Sequence, residues 1–221
     1  MKEEELRVEK KLSGLIFDLD GVLVYTDHYH FLAWKQIADE MGALLGEKIN
    51  DRLRGVSRMQ SLEIILENYR GPVLTEAEKE DVAERKNRIY RSYLQSMTPG
   101  DVSEEVRNTL RILRQRGYAL AVGSSSKNAE FILERTGIRK MFDAVADGNQ
   151  ITRSKPDPEV FLLAANLLHC RPGDCAVVED AEAGIDAAKA GGMTAIAVGK
   201  AASYPKADVR LGTFSDLLRY V

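Results

Sequence analysis

Cysteine is almost missing from this 221-residue chain, present as Cys170 and Cys175 alone. Two are too few for a disulfide framework, and they do not stand in a metal-ligand spacing. Their expected role is packing in a reducing compartment. Histidine is nearly as scarce, at His28, His30 and His169. Long apolar runs are also missing, and none approaches the length of a membrane span. The segment Met1–Lys11 is charged and lacks the apolar stretch of a signal peptide, so it reads as a frayed extension on a cytoplasmic protein. Nor is there an excess of one charge: 31 basic against 34 acidic residues leave a formal net charge of −3. That balance gives no hint of nucleic acid or an anionic membrane as partner. What remains is an ordinary globular composition, long enough to bury a sizeable core in one domain or two modest ones.

Against that background one stretch stands out, Gly14–Asp27, with the sequence GLIFDLDGVLVYTD. Leu15, Ile16 and Phe17 suit a strand buried on both faces, and the run stops at Asp18, Asp20 and Gly21. Side chains two apart on a strand point the same way, so the two carboxylates are expected to converge at its carboxyl end, where open α/β sheets bind ligands. Two such close charges repel; either one holds a proton or a cation sits between them, most simply Mg²⁺. A solvated Asp-Gly turn is the plainer alternative for this stretch taken alone.

Beyond it the pattern becomes helical up to about Met97. His30, Leu32, Ala33, Ile37, Met41 and Leu44 mark one helix-like stretch. Leu62, Ile65, Leu66 and Tyr69 mark another, ended by Gly71-Pro72. Thr75-Glu-Ala-Glu opens a third with a capping box, and it could run through Val82, Ile89 and Tyr93. This all-helical block reads as a lid inserted after the first strand. From Thr98-Pro99-Gly100 onward, strands and helices alternate. Strands are expected at Tyr118–Val122, Asp143–Ala146, about Ala176–Val178 and Thr194–Val198, with helices between them. The fold expected is α/β, a doubly wound, mostly parallel sheet with an inserted all-helical cap. The core takes residues 1–26 and 99–221, and the cap takes 27–98.

Three more strand ends carry chemistry. Ser124-Ser125-Ser126-Lys127-Asn128 follows a strand directly, and its hydroxyls and backbone N–H groups could cradle phosphate or simply cap a helix. Lys155 precedes Pro156, which restricts the lysine's backbone and could help aim a point charge at phosphate oxygens. Glu179-Asp180 ends another apolar run in paired acids, which could face the first pair across one sheet edge or merely favour a helix N-terminus. Each signal alone is modest. Four in one order, each after a strand, are specific.

On these residues the chain resembles the haloacid dehalogenase superfamily of phosphoryl-transfer enzymes, with Asp18-x-Asp20-Gly21, Ser124, Lys155 and Glu179-Asp180 matching its four motifs. Tyr29-His30-Phe31-x-Ala33-Trp34-Lys35, the stretch Arg54-Gly55-Val56-Ser57-Arg58-x-x-Ser61-Leu62, Arg85-Lys86-Asn87, and Ser126-Lys127-Asn128-x-x-Phe131 resemble its β-phosphoglucomutase branch. That resemblance implies Asp18 as nucleophile, Asp20 as general acid and base, and Ser124 and Lys155 as stabilisers of the transferring group. It implies Mg²⁺ on Asp18, the Asp20 carbonyl, Asp180 and Glu179. Substrate contacts would come from Thr26, His30, Trp34, Arg54, Gly55, Val56, Arg58, Lys86, Ser126, Lys127 and Asn128, with Arg58 clamping the phosphate that is not reacting. The expected ligands are small sugar phosphates, handled by a monomer that needs neither nucleic acid nor membrane. The expected reaction interconverts β-glucose 1-phosphate and glucose 6-phosphate through the β-1,6-bisphosphate. A sugar-phosphate phosphatase with the same core is the first alternative, and a phospho-accepting receiver-like module the second.

Overall fold

The computed structural model describes residues 12–53 and 56–221; the charged segment Met1–Lys11 lies outside them. Six strands make one sheet: β1 (Gly14–Phe17), β2 (Ala119–Gly123), β3 (Ala144–Ala146), β4 (Cys175–Glu179), β5 (Thr194–Ala197) and β6 (Val209–Arg210). Their order across the sheet is β3-β2-β1-β4-β5-β6, and every pairing is parallel. The order reverses between β1 and β4, which makes their carboxyl ends the natural ligand crevice.

Alternation along β1 assigns its side chains to two cores. Leu15 and Phe17 pack with Leu110, Leu113 and Leu120 on one face. Ile16 packs with Phe161, Val177 and Ile185 on the other. Because both faces are covered, β1 reads as a continuous apolar run rather than an alternating one. The helices that cover the sheet are α5 (Glu104–Gln115), α6 (Ala129–Arg135), α7 (Glu159–Leu167) and α8 (Glu182–Ala190). In α5 the residues Val106, Thr109, Leu110 and Leu113 are buried while its arginines and glutamates face water, an amphipathic stripe at helical period.

Between β1 and α5 the described residues form α1 (Asp27–Met41), α2 (Glu47–Arg52), α3 (Arg58–Leu66) and α4 (Glu76–Leu94). They bury a small core of their own around Trp34, Ile37, Leu62, Ile65 and Val82. Capping boxes start two of them: Ser57 with Gln60 opens α3, and Thr75 with Glu78 opens α4 as the sequence indicates.

Boundaries and two elements differ from expectation for physical reasons. The first helix stops at Met41, before Leu44, because Gly42 turns left-handed (φ 72°) and its neighbour's N–H reaches back to Ala38. The next stops at Leu66, where Asn68 and Tyr69 donate to the Ile65 and Leu66 carbonyls in tighter turns. Helix α2 has no buried residue, so no apolar period announces it. Strand β6 is two residues at the sheet edge, too short to leave a pattern. Among the described residues, no helix is long and apolar enough to cross a membrane.

Candidate active site

The carboxyl ends of β1, β2 and β4 and the loop before α7 meet the inner face of α1, α3 and α4 around a cleft of about 1090 Å³. Asp18 follows β1 directly and is held in line by its N–H on the Val178 carbonyl, 3.0 Å away. Lys155 is fully buried, with Nζ 2.5 Å from Asp18 Oδ1 and 3.3 Å from Glu179 Oε2. Burial alone would lower the ammonium's pKa, but the two carboxylates outweigh it and hold the pKa above the ordinary lysine value. The loop that presents Lys155 is tied at its base. Glu159 accepts the N–H groups of Thr152 (3.0 Å) and Arg153 (2.7 Å), which keeps its carboxyl below the ordinary range.

Asp18, Glu179 and Asp180 are all buried, and one oxygen from each lies within 4.8 Å of the others. Glu179 Oε1 is buried with no hydrogen-bond partner among the described residues, an arrangement that leaves a lone pair for a cation. Burial first, and then Asp18, push the Glu179 carboxyl well above its usual range, the response of an acid waiting for positive charge. Two glycines make room for the cluster. A Cβ at Gly21, where φ is +92°, would fall 2.2 Å from Asp180 Oδ2, and one at Gly184 would fall 2.1 Å from Glu179 Cδ. The three oxygens and the orphaned acceptor fit a hard, oxygen-liganded divalent ion.

Asp20 lines the same cleft as Asp18, whose charge bears on its carboxyl. Strand geometry ends at Phe17, and the Asp20 carboxylate accepts a hydrogen bond from the buried Thr26 hydroxyl. The carboxylate oxygens that cluster closely enough for a cation are those of Asp18, Glu179 and Asp180. Its backbone carbonyl is the group Asp20 has left to offer. Burial, and then the Asp18 charge, lift the Asp20 carboxyl to about 7, with Thr26 opposing. An acid in that range can give and take a proton near neutrality.

Ser124 stands at the end of β2, almost fully buried, and its Oγ accepts the Ser126 N–H at 3.1 Å. Ser126 Oγ in turn accepts from Asn128 N at 3.2 Å, so the serine run folds on itself and turns its remaining groups to the cleft. Val56, Ser126, Lys127 and Asn128 line that cleft, as do His30, Trp34, Arg58 and Lys86. Arg54 and Gly55 lie outside the described residues. Lys86 is 2% exposed, with Nζ 2.8 Å from His30 Nδ1 and over the rings of Tyr90 (4.5 Å) and Trp34 (5.1 Å). Burial, then the nearby Arg58 charge, lower its pKa well below that of a free lysine. Burial, then the Lys86 and Arg58 charges, likewise lower the His30 pKa well below the ordinary histidine value. His28 and His169 are exposed.

Three cleft residues escaped the sequence reading as contacts. Tyr90, buried beside His30 and Lys86, has nothing in its local sequence to mark it. Asn87 accepts from Asn128 Nδ2 at 2.9 Å, joining cap to core. Glu84 holds Arg58, Oε2 to Nη1 at 2.9 Å, and in the sequence it is one acid among many on a polar helix.

A model of the haloacid dehalogenase-like hydrolase family matches residues 12–192, most of the chain and every group just described. The chain belongs to that family. A β-phosphoglucomutase of Bacillus subtilis strain 168 is 41% identical over 207 residues, which cover 93% of this chain and 92% of that protein. A phosphorylated carbohydrates phosphatase of Thermotoga maritima is 32% identical, covering 84% of each chain. Among solved structures, the crystal structure of β-phosphoglucomutase from Clostridium difficile superposes with a TM-score of 0.88 at 36% identity, covering 93% of each chain. In haloacid dehalogenase terms the sheet is the shared core and α1–α4 form the helical insertion that covers it.

The Lys155 contacts carry a stability prediction. Lys155→Ala leaves buried carboxylates facing one another, and removing one partner of a buried ion pair costs about 3–5 kcal/mol. Urea unfolding in EDTA should show that loss, and added Mg²⁺, binding the folded state preferentially, should recover part of it. Unchanged stability in EDTA would show that Lys155 is not neutralising the cluster.

Proposed function

We propose that this chain is a phosphosugar mutase of the β-phosphoglucomutase type, interconverting β-glucose 1-phosphate and glucose 6-phosphate. The observation that carries the reading is a second cation across the cleft. Arg58, the first residue of α3, faces the same space as Asp18 and can take a phosphate that is not reacting. A bisphosphate could then lie in either direction, each phosphate taking its turn at Asp18. The similarity to the Bacillus subtilis enzyme along nearly the whole chain supports this.

Asp18 attacks phosphorus, its oxygen forming the new bond as the bond to the sugar oxygen breaks. Asp20 delivers a proton to the departing oxygen and later removes one from the incoming hydroxyl. Ser124 and Lys155 stabilise the equatorial oxygens, on the order of 3 kcal/mol per well-placed donor. Asp18, Glu179, Asp180 and the Asp20 carbonyl would hold Mg²⁺, whose charge offsets the repulsion between a carboxylate and a phosphate dianion. His30 and Lys86 would answer the sugar and help the cap close.

A sugar-phosphate phosphatase is the second reading, favoured by the Thermotoga maritima relative. There water attacks the aspartyl-phosphate, and Arg58 has less to do. Family membership sets the receiver-like module aside.

Arg58→Ala separates the two readings. Acetyl phosphate offers a phosphoryl group to Asp18 and nothing to Arg58, so its reaction should stay near wild type. Turnover of β-glucose 1-phosphate should fall at least about tenfold, the loss of a charged hydrogen-bonded contact. Arg58→Lys should recover only part, since the planar two-pronged fit is gone. Equal loss on both donors would make Arg58 a support for the cap fold, and no loss on either would put the phosphatase ahead.

A further inference from the structure

The guanidinium proposed as the distal-phosphate clamp already holds an anion from its own chain. Glu84 projects from α4 across to the start of α3, with Oε2 2.9 Å from Arg58 Nη1. Its other oxygen accepts from Asn87 Nδ2 at 3.4 Å, and Asn87 Oδ1 accepts from Asn128 Nδ2 at 2.9 Å. All four residues line the cleft. The chain Arg58–Glu84–Asn87–Asn128 thus runs from one wall of the cap to the core loop after β2.

Other cations of the cleft are occupied differently. Lys155 is committed to Asp18 and Glu179, and Lys86 to His30 and two aromatic rings. The partner of Arg58 is a mobile kind of group: the Glu84 side chain is 55% exposed, on a helix whose backbone does not depend on it. The donors it engages, a guanidinium and a side-chain amide linked to Asn128, are of the type that would meet phosphate oxygens.

We propose that Glu84 is an internal stand-in for the distal phosphate, seated on Arg58 in the ligand-free protein and displaced when a sugar bisphosphate binds. This rests on the mutase reading of Arg58 and adds a selecting residue to it. A phosphate dianion carries more charge than a carboxylate and can replace it. A sugar hydroxyl or an uncharged end group cannot, so ligands lacking the second phosphate leave Arg58 closed by Glu84. Specificity then comes from an interaction that must be broken as well as from one that is made.

The test uses the intrinsic fluorescence of Trp34, the chain's single tryptophan and a cleft residue, titrated with β-glucose 1,6-bisphosphate. Asp18→Asn is the background in every arm, so that bound ligand is not consumed. Glu84→Gln and Glu84→Ala should both tighten binding, by about two- to fivefold, the scale of a partly exposed ion pair. With Arg58→Ala also present, the gain should vanish. Unchanged or weaker binding in both Glu84 variants, while Arg58→Ala alone costs tenfold or more, would overturn the Glu84 proposal and leave the clamp standing. If Arg58→Ala alone costs nothing, the distal-phosphate reading fails, and the role of Glu84 with it.

Discussion

Phosphoryl transfer should fall to background in Asp18→Ala and Asp18→Asn, from every donor and to every acceptor. No neighbour can replace the lost nucleophile. Asp20 is engaged with Thr26, and Ser124 Oγ is occupied by a backbone N–H. Glu179 and Asp180 sit with Asp18 in the acid cluster, where their proposed work is to hold a cation. Asparagine keeps the shape of the side chain and loses the charge that attacks. Folding should survive, since Lys155 retains Glu179 as a partner. The checks are turnover with acetyl phosphate and with β-glucose 1-phosphate, and a beryllium fluoride complex, which should form on Asp18 in the wild type and in neither variant. Full turnover by Asp18→Ala would remove the aspartyl-phosphate from the scheme.

Asp20→Asn carries the next largest expected effect, a loss of about 10²–10⁴-fold, the usual contribution of a positioned proton donor and acceptor. The wild-type carboxyl is lifted to about 7 by burial and by Asp18. An amide has the same outline and no proton to exchange. Thr26 Oγ1 can still find the amide oxygen, so the loop after β1 should hold its shape. Mg²⁺ affinity, followed by the cation's effect on thermal unfolding, should stay close to wild type, because the proposed ligand is the Asp20 carbonyl. A variant that loses metal affinity in step with rate would show that the Asp20 carboxylate belongs to the cation.

What could be read from the sequence follows from where chemistry meets periodicity. Asp18, Ser124 and Glu179 each close an apolar run at the carboxyl end of a strand buried on both faces, and it was the recurrence of such polar ends in one order that made them legible. The parallel, doubly wound class followed from the alternation of strands and helices after Thr98, whereas the strand order came only with the structure. Asp20 was legible as a neighbour of Asp18, but its hydrogen bond to Thr26, made beyond the end of the strand at Phe17, was not. Arg58 was legible as a cation of the cap, but its partner was not. Glu84 and Asn87 meet Arg58 and Asn128 through helix packing and loop shape, over separations of 26 and 41 residues that no local pattern records. Helix α2 was missed for want of an apolar face, and strand β6 because two residues leave no pattern.

The mutase claim is tested most directly by following glucose 6-phosphate with a coupled assay, in Mg²⁺ and a priming phosphate donor, from the β and α anomers of glucose 1-phosphate in parallel. The account predicts steady glucose 6-phosphate from the β anomer, little from the α anomer, and inorganic phosphate released far more slowly than the isomer forms. Release of inorganic phosphate at the rate of substrate loss, with no glucose 6-phosphate from either anomer, would contradict it and make the protein a phosphatase.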